Sequence, residues 1–99
     1  MNIDMLAAAI KNGDVLSVHY GGGWRLVEPH TLGRGSKGQF LLRAFQISGY
    51  SRSGEATGWK LFSVGELVSA VPTAAKFTGP RPGYNPSDSV MRGGIIATF

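Results

Sequence analysis

Hydrophobic and polar residues recur along this chain with two different periods, and the change of period separates its elements. Near the start, apolar residues recur at the spacing of one helix face: Ile3, Leu6, Ala7 and Ile10. Asn2 or Asp4 can cap the first turn, and Gly13 can take the left-handed conformation that ends a helix. The sequence therefore predicts a short N-terminal helix whose apolar stripe packs on a sheet.

From Val15 onward the period becomes two, which is typical of half-buried strands. Glycine-rich turns divide this part of the chain into five predicted strands: residues 15–20, 24–32, 40–47, 59–64 and 68–71. Pro29 lacks a backbone N–H, so we expect the second strand to lie at a sheet edge or to end early. The third strand is the most apolar, and Arg43 is the charge within it.

The residue composition of the sequence changes after Phe77. Residues 79–86 contain three prolines and two glycines, which disfavour a regular element, whereas residues 95–99 are almost entirely apolar. We expect residues 78–99 to form a C-terminal arm of the same domain as residues 1–77. The stiff segment is expected to project the apolar end from its own barrel into the interface of a homo-oligomer, most simply a dimer.

The element order predicts a mainly β fold. We expect an N-terminal helix followed by a small five-stranded barrel of the Sm-like or SH3-like kind, with the C-terminal arm. A chain of 99 residues is one domain, and no apolar run is long enough for a membrane-spanning helix, so no membrane partner is expected. The absence of cysteine favours a cytoplasmic protein without disulfides.

The net charge of +4 favours anionic partners. Cations and aromatic residues lie together on the predicted strands or at their ends, where guanidinium and ammonium groups can contact phosphate and rings can stack on bases. The predicted ligand-binding residues are Tyr20, Arg25, Arg43, Trp59 and Lys60. Arg43 must reach solvent, pair with an acid, or meet an anionic ligand. Core packing of Tyr20 and a solvated sheet face for Arg43 are the alternatives.

Catalytic and metal-binding patterns are missing from the sequence. The six acids are scattered over helix, turn and loop positions, and His19 and His30 lie in no recognisable motif. No spacing of a metal site or of a phosphate-binding glycine loop is present. We therefore expect no catalytic residues, no metal and no cofactor, and interpret the chain as a binding module and not as an enzyme.

Three segments resemble the WYL domain family. The first hairpin carries Val18-His19-Tyr20, then Arg25, then Val27-Glu28-Pro29-His30. Phe40-Leu41-Leu42 stands where the family has its Trp-Tyr-Leu triplet, and Lys60-Leu61-Phe62 stands where it has Arg-x-Phe. The resemblance covers residues 3–77 and implies a free-standing Sm-like barrel that senses or binds a ligand, often nucleic acid or a nucleotide, in bacterial or phage settings.

The chain departs from the WYL pattern in ways that bear on function. The triplet loses its indole and phenol groups, and Lys60 keeps the charge of the family's arginine without its planar fork. The family's DNA-binding helix-turn-helix has no counterpart here. The sequence thus favours a non-enzymatic module for single-stranded nucleic acid or a nucleotide. The alternatives are a protein-interaction or regulatory subunit that uses the arm, and a phage-type sponge for signalling nucleotides.

Overall fold

A computed structural model describes residues 2–99 and confirms the predicted fold class, a mainly β chain with one N-terminal helix. The elements in chain order are α1 (Ile3–Asn12), β1 (Asp14–Tyr20), β2 (Gly23–Arg34), β3 (Phe40–Gly49), β4 (Gly58–Ser63), a 3-10 turn (Val64–Glu66), β5 (Ser69–Lys76) and β6 (Gly94–Thr98). Within residues 2–99, no helix is long and apolar enough to cross a membrane.

The helix begins and ends as its sequence predicts. The Asn2 side chain accepts a hydrogen bond from the Met5 N–H at 3.2 Å, so Asn2 and not Asp4 is the N-cap. Gly13 has a φ of 69° and donates its N–H to the last turn, which closes the helix. Leu6 and Ile10 are fully buried against the sheet. The apolar stripe therefore joins the helix to the core.

One antiparallel sheet contains all six strands, in the order β4-β3-β2-β1-β5, with β6 paired to β2. The long strand β2 pairs on one edge first with β1 and then, over Thr31–Arg34, with β6. Bulges beside Leu26 and Pro29 bend this strand. The core fills the concave side of the bent sheet: Leu6, Ile10, Leu16, Val18, Val27, Leu32, Leu42, Ala44 and Phe62.

Pro29 does not lie at a sheet edge and does not end its strand, so that prediction is wrong. It sits in the middle of β2, opposite Ala44 of β3. On its other side, the pairing with β1 ends at Val27 and the pairing with β6 begins at Thr31. The missing N–H falls beside the bulge between Pro29 and Thr31, where the pairing with β3 is already irregular, so it costs little ladder hydrogen bonding.

The C-terminal arm packs on its own barrel. Its apolar end forms β6 on β2 of the same chain, which adds a sixth strand to the five predicted. The prediction that the arm projects away from its own barrel is therefore wrong. The three prolines do not direct the arm outward, because its ion pairs and aromatic contacts hold it against the barrel. The expected homo-oligomer, with the arm in its interface, stays a prediction.

We predict that Gly33→Ala strongly destabilises the fold. A Cβ at Gly33 would lie 2.6 Å from the Gly94 carbonyl oxygen and 2.9 Å from the Met91 sulfur, so two strands must separate. Such overpacking costs about 1–3 kcal/mol. The matched control is Gly65→Ala, where a Cβ meets nothing within 4 Å. Urea unfolding should show a lower midpoint for Gly33→Ala alone, and equal midpoints would contradict the close approach of β2 and β6.

Candidate functional site

Three of the five predicted ligand-binding residues come together where the β1–β2 turn meets the β3–β4 loop. We call this surface the barrel end; it comprises Tyr20, Arg25, Tyr50, Arg52 and Lys60. Trp24 borders it: it precedes Arg25 in β2, so its side chain points to the opposite face of the strand, where it packs on His19. The Arg25 guanidinium carbon lies 5.3 Å from the centre of the Tyr20 ring and 5.5 Å from that of Tyr50. Lys60 donates to the Ser51 hydroxyl at 3.3 Å and to the Glu55 carbonyl at 2.8 Å. Both cations therefore contact the β3–β4 loop.

Arg25 is a buried cation, with only 6% of its surface exposed. Its Nε and Nη2 donate to the Tyr20 carbonyl at 3.3 and 3.1 Å, and Nη1 donates to the Gln46 side-chain oxygen at 3.3 Å. Gln46 is fully buried and donates in turn to the Tyr50 carbonyl at 2.9 Å. These acceptors are neutral, so within residues 2–99 no carboxylate balances the buried charge.

Three other cations are paired with acids. Arg43 pairs with Asp88, Arg81 with Glu28, and Lys76 with Asp14. The three remaining acids are exposed on the surface: Asp4, Glu55 and Glu66. Of these, only Glu55 belongs to the loop at the barrel end. The same surface contains three cations, Arg25, Arg52 and Lys60. It therefore has an excess of two positive charges (three cations less one acid).

Exposed aromatic rings accompany these charges. Trp24 is 53% exposed and Tyr50 is 43% exposed. The Tyr50 N–H donates to the Trp24 carbonyl at 2.9 Å, so the two residues are neighbours through their backbones. A Cβ at Gly23 would lie 2.4 Å from the Tyr50 side chain, and glycine there lets the loop approach. The barrel end thus combines flat apolar surface with positive charge.

Tyr20 is a partly buried residue of the barrel end and packs against the core. Its ring packs edge-on against Phe62 at 4.8 Å, and its hydroxyl accepts the Ser63 N–H at 3.2 Å. The same ring and the Tyr20 carbonyl contact Arg25. Tyr20 is therefore placed to position Arg25, and the exposed stacking surface beside Arg25 belongs to Tyr50.

Arg43 and Trp59 lie elsewhere, on the convex face of the sheet beneath the arm. Trp59 and Lys60 are consecutive in β4, so their side chains point to opposite faces. The Trp59 indole N–H donates to the Pro82 carbonyl at 2.8 Å, and its ring meets Phe45 and His30 edge-on. Arg43 makes a two-pronged ion pair with Asp88, at 2.8 and 3.4 Å. The structure does not join these two residues to the other three.

The arm builds an aromatic cover around His30, which is fully buried. The rings of Trp59, Phe77, Tyr84 and Phe99 have their centres within 4.8 to 5.7 Å of the imidazole. Nδ1 lies 2.8 Å from the Glu28 carbonyl, and Nε2 accepts the Arg81 N–H at 3.2 Å. This pairing fixes the neutral Nδ1–H tautomer. Burial lowers the pKa of His30, and the Glu28 carbonyl and carboxylate oppose that shift only in part.

The sequence contained signals for the residues that the prediction missed. Trp24 follows the glycine turn of the first hairpin, and Arg52 lies in the polar loop after β3. Tyr50 follows β3 directly, where a strand end meets a loop. Within residues 2–99, no group of three or more His, Cys, Asp or Glu side chains is placed to hold a metal ion. Comparisons of the chain with known protein families, characterised proteins and solved structures found no match.

Proposed function

We propose that the chain is a non-enzymatic binding module for an anionic, base-containing ligand, either single-stranded nucleic acid or a nucleotide, and that this ligand binds at the barrel end. The observation that carries the proposal is the buried charge of Arg25. Buried charges in proteins are normally paired. Three acids are used by other cations, and the exposed acids, Glu55 of the barrel end among them, form no ion pair with Arg25 within residues 2–99, so a ligand phosphate would supply the missing partner.

The chemistry of the surface fits such a ligand in two ways. Arg52 and Lys60 flank Arg25 and add positive charge, which draws phosphate groups toward the surface. Tyr50 offers an exposed ring, and every nucleobase has a face that stacks on an aromatic ring. Gln46 holds Arg25 and the Tyr50 backbone together through two hydrogen bonds. Charge and stacking surface therefore keep a fixed spacing.

The WYL resemblance supports the same surface. Tyr20, Arg25 and Lys60 belong to the segments that carry the resemblance, and all three contribute to the barrel end. We propose on these grounds that the chain is a WYL-like module. One version of this function is a sponge for signalling nucleotides, which captures the ligand without passing a signal to another domain.

Self-association is a second candidate function, and the free edge of β5 favours it. Among the described residues, 2–99, this strand pairs only with β1. Val68 is 75% exposed and Val71 is 49% exposed beside that edge. Unpaired strand edges with apolar side chains are templates for pairing with another chain. A homo-oligomer or a protein partner would therefore use β5, since the arm is occupied within its own chain.

Substitutions in the exposed residues test the binding proposal without disturbing the core. We expect Tyr50→Ala to weaken the binding of a fluorescent oligothymidine by about 1–3 kcal/mol, because a stacked base loses its ring. Arg52→Ala should lower the salt slope of binding by about one. Ile96→Ala and Arg92→Ala are matched controls, because both residues are exposed and neither belongs to the barrel end. Unchanged affinity in both test variants, measured by fluorescence anisotropy, would refute the site.

A further inference from the structure

A groove on the convex face of the sheet has no part in the barrel end. It encloses about 280 Å³ between the arm and strands β3 and β4. We call it the arm groove; its lining residues are Arg43, Trp59, Gly83, Tyr84, Asn85 and Asp88. Its volume falls at the lower end of the range for small-molecule sites, which suits a nucleobase better than a larger ligand.

Arg43 presents one edge of its guanidinium to Asp88 and keeps another edge unoccupied. Nε donates to one carboxylate oxygen at 2.8 Å and Nη2 to the other at 3.4 Å. Within residues 2–99, Nη1 has no hydrogen-bond partner, and the side chain is 29% exposed. The end formed by Nη1 and Nη2 can therefore donate two parallel hydrogen bonds to a ligand.

Two adjacent acceptors are what this edge of Arg43 can recognise. Guanine carries O6 and N7 side by side, and a two-pronged arginine contact to them is the commonest base-specific interaction. Adenine has an amino group in place of O6, which would oppose the guanidinium. Thymine lacks a neighbouring pair of acceptors. Cytosine has one, N3 and O2, but on a single ring that covers less of the Trp59 face than a purine. The unoccupied edge beside an aromatic wall therefore favours guanine among the bases.

Asp88 acts as a positioning residue for this contact. Its carboxylate also accepts the Val90 N–H at 3.2 Å, so the arm backbone holds it in place. The guanidinium of Arg43 lowers the pKa of Asp88, which keeps the carboxylate ionised at neutral pH. A clamped arginine loses less side-chain freedom when it binds, and this makes a base contact more selective.

Trp59 supplies a flat wall and Gly83 keeps it accessible. The indole N–H is fixed to the Pro82 carbonyl at 2.8 Å, so the ring cannot swing away. A Cβ at Gly83 would lie 3.0 Å from that indole nitrogen. The side-chain oxygen of Asn85 accepts the Ser87 N–H, which leaves its amide N–H groups for a ligand. Together these residues offer a stacking surface beside donors.

We propose that the arm groove binds a guanine base, recognised by the Nη edge of Arg43 while Asp88 holds the other edge. This inference rests on the proposed function, because it names the base of a base-containing ligand. The two sites make different demands on that ligand. Stacking at the barrel end tolerates any base, whereas the arm groove requires the O6 and N7 acceptors. Base preference is thus a property of the groove alone.

Base analogues test the groove on the unaltered chain. The probes are a short oligothymidine, the same oligomer with one central guanine, and versions carrying hypoxanthine or 7-deazaguanine in its place. Hypoxanthine keeps O6 and N7, whereas 7-deazaguanine lacks N7. We expect guanine and hypoxanthine to raise affinity roughly ten-fold over thymine, and 7-deazaguanine to lose most of that gain. Free guanosine is titrated in parallel, with the Trp59 and Tyr84 ring resonances recorded by NMR.

Arg43→Lys is the companion variant, since it keeps the charge and loses the fork. It should abolish the preference for guanine and leave oligothymidine binding unchanged, whereas Arg92→Lys, exposed on the arm, should alter neither. Equal affinity for all oligomers would overturn the groove and leave the barrel end standing. Guanosine binding at the groove without any oligothymidine binding would overturn the barrel end instead. No binding of any probe would overturn both.

Discussion

A chain that ends at Phe77 is expected to lose its cooperative fold. The cut removes β6, and with it the pairing that covers the second half of β2. It also exposes the aromatic cover around His30, including the stacked rings of Phe77 and Phe99, whose centres lie 4.8 Å apart. Each large apolar side chain that returns to water costs about 1.5–3 kcal/mol. Several such losses approach the whole stability of a small domain, about 5–15 kcal/mol.

Thermal unfolding followed by near-ultraviolet circular dichroism checks this expectation. The full chain with Ile96→Ala serves as the control, because Ile96 lies on the exposed side of β6 and is 43% exposed. That variant should unfold cooperatively, close to the full chain. Light scattering on the same samples reports self-association separately. A shortened chain with the same unfolding midpoint as the full chain would show that the arm adds nothing to the barrel.

Acid is expected to destabilise the protein through His30. The pKa of His30 in the folded chain lies below the ordinary value of 6.5, so the unfolded chain takes up a proton that the folded chain refuses. The stability due to neutral His30 is complete above pH 6.5 and declines as the pH falls toward the folded pKa. The decline is at most about 1.4 kcal/mol for each pH unit. Protonation would also set an Nε2–H against the Arg81 N–H that it now accepts.

Urea unfolding at a series of pH values measures this slope. His30→Gln should flatten it, because a neutral amide has no proton to gain in this range. His19→Gln is the matched control. It removes the other histidine, which lies in β1 beside Trp24, and the dependence of stability on pH should remain as in the unaltered chain. Arm release can be followed through Trp59 fluorescence. A slope that survives His30→Gln would assign the acid sensitivity to another group.

The period of the sequence was enough to predict the fold class. In β3 the alternation correctly separated Leu42 and Ala44, which are fully buried, from Arg43 and Phe45 on the other face. The helix caps could be predicted because they depend on local chemistry at Asn2 and Gly13. The place of Pro29 within the sheet and the pairing of β6 could not be predicted, because each depends on which strand lies beside β2 at a given residue.

The candidate site was less accessible to prediction than the fold. The sequence left open whether Arg43 reaches solvent, pairs with an acid or meets an anionic ligand, because its partner, Asp88, is 45 residues away on the arm. Tyr50 and Arg52 lie in a loop without hydrophobic period, so nothing in the pattern places them beside Arg25. Residue type suggests what a side chain can bind. Only the bend of the sheet and the course of the loops decide which side chains meet.

The central claim is that the barrel end is the ligand surface, and amide chemical shift mapping with oligothymidine tests it most directly. The account predicts that the largest shifts fall in residues 20–25 and 50–60, saturate together, and weaken as salt is added. The helix α1 should remain unchanged, because it packs against β2 and β6. Shifts that centre on α1 or on β5, with residues 20–25 unmoved, would contradict the claim.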